Sequence, residues 1–134
     1  MSCCGLWLAR RRLVAVVVDD DGRASPAVAA ALTDEARWGL LESLDAVHGL
    51  DCELVLPEGL ARVDSLGRLA LARGLAVWVA PERLIDAIRR AAALATGPPA
   101  RTAAMIARLS LVPAWRAHLR RLGPPLDRRQ LPLL

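Results

Sequence analysis

The sequence predicts an α/β fold built on a mixed β-sheet with helices on its faces. Three observations lead there. Residues 13–18, LVAVVV, form an uninterrupted β-branched run that stops at Asp19–Asp20–Asp21–Gly22, a strong turn signal. From residue 33 to residue 97, helix-periodic and strand-like segments alternate, the pattern of βαβ units. The core must be built from Leu, Val and Ala, because the chain has four Trp and neither Phe nor Tyr.

The first apolar segment, 3–9, is separated from 13–18 by Arg10, Arg11 and Arg12, which predicts a hairpin. Residues 23–28 add a short third strand that Pro26 confines to a sheet edge. Thr33 reads as a helix N-cap, followed by Asp34 and Glu35 in the first turn. Leu40, Leu41, Leu44 and Val47 continue that helix to Gly49. Residues 51–57 form a strand, 58–73 a helix ending at Gly74, and 75–80 another buried strand. Pro81 starts a helix that runs to Gly97. Pro98 and Pro99 break the chain, and a last helical region spans about 100–122 with Pro113 breaking or kinking it. Residues 1–122 are expected to form one α/β domain: sheet and helices over 1–97, a C-terminal helical region over 98–122. Residues 123–134 are expected to be an extended basic and apolar tail. Right-handed crossovers leave few topologies, and one of them is ribonuclease H-like: a hairpin or three-strand meander, then parallel strands added beside the first.

The order also resembles the N-terminal domain of the DEDD-type transposases of bacterial insertion sequences. GLWLARRRLVAVVVDDDGR resembles that family's opening hairpin, CELVLPEGLAR its Glu-bearing strand, GLAVWVAPERL its next strand, and TGPPARTAAMIARL the segment with its Asp pair. The match covers about residues 5–109 and implies the ribonuclease H-like fold in a bacterial mobile-element or genomic-island setting. The residues that carry the family's chemistry are replaced. Trp7 stands at the first Asp position, Leu56 at the Glu position, and Pro99 and Thr102 at the Asp pair. Two-metal phosphoryl chemistry needs converging carboxylates, and neither Trp nor Leu ligates a hard cation. The resemblance therefore implies a degenerate, non-catalytic relative.

Other chemistry is sparse. Asp19, Asp20 and Asp21 read as turn residues, since three consecutive side chains in a turn do not aim at one ion. Glu53, Glu58 and Asp64 are the weak alternative: with one of Asp19–Asp21 they could serve a divergent Mg-dependent nuclease. Glu58 is otherwise a first-turn carboxylate. Ser25, Ser43, Ser65 and Ser110 lie in no nucleophile elbow, and His48 sits at a helix end. Cys3, Cys4 and Cys52 lack metal-ligand spacing; the topology places Cys3 or Cys4 beside Cys52 as small buried hydrophobes. No phosphate loop or dinucleotide fingerprint is present, and no metal or cofactor is expected.

Charge is unevenly placed. Residues 98–134 carry seven Arg and only Asp127, so all of the excess positive charge lies in the last quarter. Arg116 and Arg120 fall four apart on the expected helix, with Arg121, Trp115 and His118 beside them, and Arg128 and Arg129 follow in the tail. Arginines can contact phosphates and Trp115 can stack on a base. The plainer arrangement has Trp115 in the core with Leu119 and Leu122. A binding role is thus expected at this basic region, with DNA or a protein as partner; the apolar tail Leu131–Pro132–Leu133–Leu134 could dock on a partner or on a second copy of the chain, giving a homodimer, or equally be a frayed terminus. A purely structural homo-oligomer is the remaining alternative. No apolar run is long enough to span a membrane, and the opening residues are not a signal peptide, so the cytoplasm is expected.

Overall fold

The computed structural model describes residues 1–92 and 97–123. The strands are β1 (Ser2–Ala9), β2 (Arg12–Val18), β3 (Val28–Ala31), β4 (Cys52–Pro57), β5 (Val77–Ala80) and β6 (Arg120–Arg121). The helices are α1 (Asp34–His48), α2 (Glu58–Val63), α3 (Leu66–Ala72), α4 (Glu82–Ala91), α5 (Pro99–Leu109) and α6 (Pro113–Arg116). Among the described residues the sheet order is β3-β2-β1-β4-β5-β6. β1, β2 and β3 form an antiparallel meander, β4 and β5 add in parallel beside β1, and β6 closes the far edge antiparallel to β5.

Strand alternation sorts the core onto two faces. Cys4 and Leu6 of β1 and Leu54 and Leu56 of β4 join Leu40, Leu41 and Leu44 of α1 and Leu66 of α3. On the opposite face Cys3, Val16 and Val18 pack against Ala103, Ala104 and Ala107 of α5. That contact is very close. A Cβ built on Gly5 would run into the Ala103 carbonyl oxygen and the Ala107 amide nitrogen. The absent side chain lets α5 lie flat across β1 and β2, and its run of alanines keeps the helix surface low enough to do so.

Three local differences from the sequence expectation have physical causes. The third strand forms at Val28–Ala31, later than 23–28. Pro26 lacks an N–H, so the edge makes one bridge at Val18–Ala24 and resumes a ladder with β2 only past the proline. The helix expected over 58–73 is split at Asp64, which adopts extended backbone (φ −105°, ψ 147°). Its side chain accepts a hydrogen bond from the Leu66 amide at 2.8 Å and restarts the helix, leaving Val63 exposed. The helical region expected over 100–122 ends at Leu109; a short α6 follows Pro113, and the chain then pairs with β5. The expected tail lies outside the described residues apart from Gly123.

The Thr33 cap is present, its hydroxyl accepting from the Ala36 amide at 3.1 Å. In the β1–β2 hairpin Arg10 and Arg11 both take positive φ, 51° and 62°. A two-residue loop joining right-twisted strands demands that conformation even of residues that disfavour it.

Replacing Gly5 with Val should lower stability by at least about 2 kcal/mol, the cost of forcing a branched side chain into a filled contact. A urea titration of Gly5→Val against the parent checks it.

Candidate nucleic-acid interface

The face of the sheet covered by α4, α5 and α6 carries the expected site region. Trp7 of β1, Trp78 of β5 and Trp115 of α6 all pack on one apolar cluster with Val55, Ile85, Ile106 and Leu109. Arg89 of α4 stacks over Trp7, its guanidinium carbon 4.7 Å from the ring centre. Arg89 Nε is buried with no hydrogen-bond partner among the described residues, the cost of pressing the guanidinium on the ring. Thr102 is buried and lines a small apolar pocket with Arg89, Met105 and Ile106. The position where the transposase-like pattern has its first Asp is therefore filled by an aromatic–guanidinium stack. Leu56, at that pattern's Glu position, belongs to the opposite face of the sheet.

The carboxylates of the weak metal alternative are not brought together. Glu53 points to the α5 side and binds Arg116, with Nη1–Oε1 at 3.1 Å. Asp64 lies on the other side, where Arg37 of α1 grips it with two hydrogen bonds, Nη2 to Oδ1 at 2.7 Å and Nε to Oδ2 at 3.1 Å. These bonds, chiefly, hold the Arg37 pKa above its ordinary value. Glu58 sits at the start of α2 and faces Arg62 at 4.0 Å. Asp19 is a turn residue, its Oδ1 accepting from the Asp21 and Arg23 amides at 2.9 and 3.0 Å. Among the described residues no three His, Cys, Asp or Glu side chains gather as a metal set.

The basic region is assembled differently from the helical face expected. Arg116 ends α6 and Arg120 begins β6, so the two do not share a helix face. Pro113 interrupts the helix, and the Leu122 amide then bonds the Val77 carbonyl at 2.9 Å, which zips β6 onto β5. Arg116 is a tether: besides Glu53 it donates to the Ser110 carbonyl at 3.0 Å and stacks 4.6 Å from the Trp78 ring. Arg121, the β-partner of Trp78, lies 5.6 Å from the same ring. Arg120 and Arg121 are exposed, and neither forms an ion pair among the described residues. Trp115 is half-buried in packing and His118 is exposed. Arg128 and Arg129 lie outside the described residues. Trp78 is the aromatic that sequence reading passed over. Its strand, LAVWVA, looks buried throughout; only alternation with Val77 and Val79 reveals that Trp78 turns to the other face.

No protein-family model and no curated protein sequence matches the chain. Its backbone is similar to that of T. thermophilus RuvC, solved in complex with a Holliday junction substrate, with a TM-score of 0.57 at 15% sequence identity. The likeness covers 91% of this chain and 99% of that one. The fold is ribonuclease H-like. At this identity the likeness speaks to architecture, and it agrees with the fold that the transposase resemblance implied without reaching that family. No helix among the described residues is long and apolar enough to cross a membrane.

All three cysteines are buried and unpaired. Burial raises the pKa of each, and Cys52 is pushed up to about 12 from the ordinary 9.0. Folding therefore favours the neutral thiol. That contribution is whole below pH 9 and is lost as the pH climbs toward about 12, because unfolded thiols ionise first. The urea midpoint should fall across that window, and less steeply in Cys52→Ala. Asp64→Ala should cost about 3 kcal/mol, because it strands the largely buried Arg37 and uncaps α3. Denaturant titration measures this, and the loss should be independent of Mg²⁺.

Proposed function

We propose that this protein is a non-catalytic ribonuclease H-like binding module that engages nucleic acid through its C-terminal basic region. The observation that carries this reading is Arg121, exposed beside Trp78 on the terminal strand, with Arg120 exposed next to it on the strand's other face; neither forms an ion pair among the described residues. Glu53 is held by Arg116, which also stacks on Trp78. Free guanidinium groups on a fixed strand suit phosphate oxygens, and their contribution is electrostatic and salt-sensitive. The fold has a DNA-bound precedent in the RuvC complex. Arg128 and Arg129, in the expected tail 123–134 beyond a folded unit of 1–122, lie outside the described residues and add positive charge to the same end of the sequence. The transposase resemblance suggests a bacterial mobile-element or genomic-island setting, for which we propose a cytoplasmic location.

Dispersal of Glu53, Glu58 and Asp64 into separate ion pairs supports a binding role over two-metal cleavage. An acidic protein surface would also complement the patch, and failure to bind DNA would favour it.

Fluorescence anisotropy of labelled duplex and single-stranded DNA across a salt series, with Mg²⁺ present, tests the reading. Binding should weaken steeply with salt. Arg120→Ala and Arg121→Ala should each lower affinity about uniformly across sequences and reduce the salt slope by about 1. DNA should stay intact. Absence of binding at low salt contradicts the reading, and Mg²⁺-dependent cleavage contradicts its non-catalytic part.

A further inference from the structure

The sheet has two edges, and they are protected very differently. β6 carries Arg120 and Arg121, charges of the kind that blunt an edge against pairing. The β3 edge carries none: residues 24–33, ASPAVAAALT, hold no charged side chain. Val28, Ala29, Ala31 and Leu32 are exposed along it. Half of the backbone N–H and C=O groups of an edge strand face away from its one neighbour. Apart from the ladder with β2, no backbone hydrogen bond reaches residues 27–32 among the described residues. The edge is also well held, because Ala30 is buried beneath α1 and Ser25 is fixed to Val17 by reciprocal bonds of 2.8 and 3.1 Å.

The charges that bound this neutral stretch identify its occupant. Arg23 lies six residues before Ala29, and Glu35 lies six residues after it. Both are exposed, and neither forms an ion pair among the described residues. Asp34, beside Glu35, is also largely exposed. An antiparallel pairing of the edge with itself, about a twofold axis at Ala29, sets the Arg23 end of each copy against the acidic start of α1 on the other. The uncharged stretch then opposes itself without like-charge repulsion. Parallel self-pairing would instead set Arg23 against Arg23. We propose that two copies of this chain associate through their β3 edges, Ala27–Ala31, in an isologous antiparallel pair centred on Ala29 that continues the sheet from one copy into the other. Such a contact closes on itself, so it gives dimers and not fibres. A short edge buries a small area, which predicts reversible association. The proposal is independent of whether nucleic acid binds.

Sedimentation velocity from about 1 μM to about 1 mM, the range of moderate to weak dissociation constants, reads this directly. The parent should pass from monomer to dimer with no higher species. Arg23→Glu and Glu35→Arg should each weaken dimerisation about tenfold at low salt, and the double swap Arg23→Glu/Glu35→Arg should restore it. Ala29→Lys, which sets two cations face to face at the axis, should leave a monomer with the parent's circular dichroism. A parent that stays monomeric throughout overturns the proposal. So does a dimer indifferent to both single swaps, or one that the double swap fails to restore. If Ala29→Lys loses its fold, the swap series alone decides.

Discussion

A side chain at position 5 would occupy the space of the Ala103 carbonyl and the Ala107 amide, so α5 lies flat on β1 and β2 because Gly5 has none. Much of the molecule depends on that approach. It carries Ser110 to Cys3, where the hydroxyl donates to the sulfur, and it fixes where the chain leaves α5 toward α6. The Ser110 carbonyl then receives Arg116, and Arg116 reaches Glu53 and Trp78. The basic strand β6 is therefore positioned by a sequence of short, directional contacts that starts at a missing side chain. Cβ-free packing and small residues do here what aromatics do in many cores: they bring two layers close enough to bury a sheet made of Val, Leu and Cys.

Guanidinium groups do two different jobs on the α5 face. Arg89 and Arg116 are spent on the protein itself, stacked on Trp7 and Trp78, and Arg116 also cancels the charge of Glu53. Arg121 lies exposed beside Trp78 at the rim, and Arg120 is exposed on the other face of the same strand. The α5 face holds an aromatic core with the exposed Arg121 at its margin. Asp64 and Arg37 form a comparable internal pair on the opposite face, where they join α1 to the start of α3.

The fold was legible because its strongest signals are local: LVAVVV closed by an Asp/Gly turn, capped Thr33, and apolar strands separated by helix-length spacers. Handedness and the hairpin start left few strand orders, the observed one among them, but did not single it out. The C-terminal quarter was less legible. Arg116 to Leu122 has helical spacing, but β6 exists only because Val77 offers a free carbonyl to Leu122, a pairing between residues 45 apart that no local pattern encodes. The split at Asp64 was hidden for a similar reason, since its partner Arg37 comes from another helix. Arg116 was legible as a basic residue, but its role as a tether depends on Glu53, 63 positions away. Trp78 was missed because a strand read as wholly buried gives no sign of which face each residue takes.

The most direct test of a binding face without cleavage chemistry is ¹⁵N NMR of the protein titrated with a short DNA duplex in the presence of Mn²⁺. The account predicts shifts concentrated at the Trp78 indole and the amides of β6, with no selective paramagnetic broadening around Trp7, Glu53 or Asp64. Shifts that avoid β6, or sharp Mn²⁺ broadening at those carboxylates once DNA is bound, would contradict it.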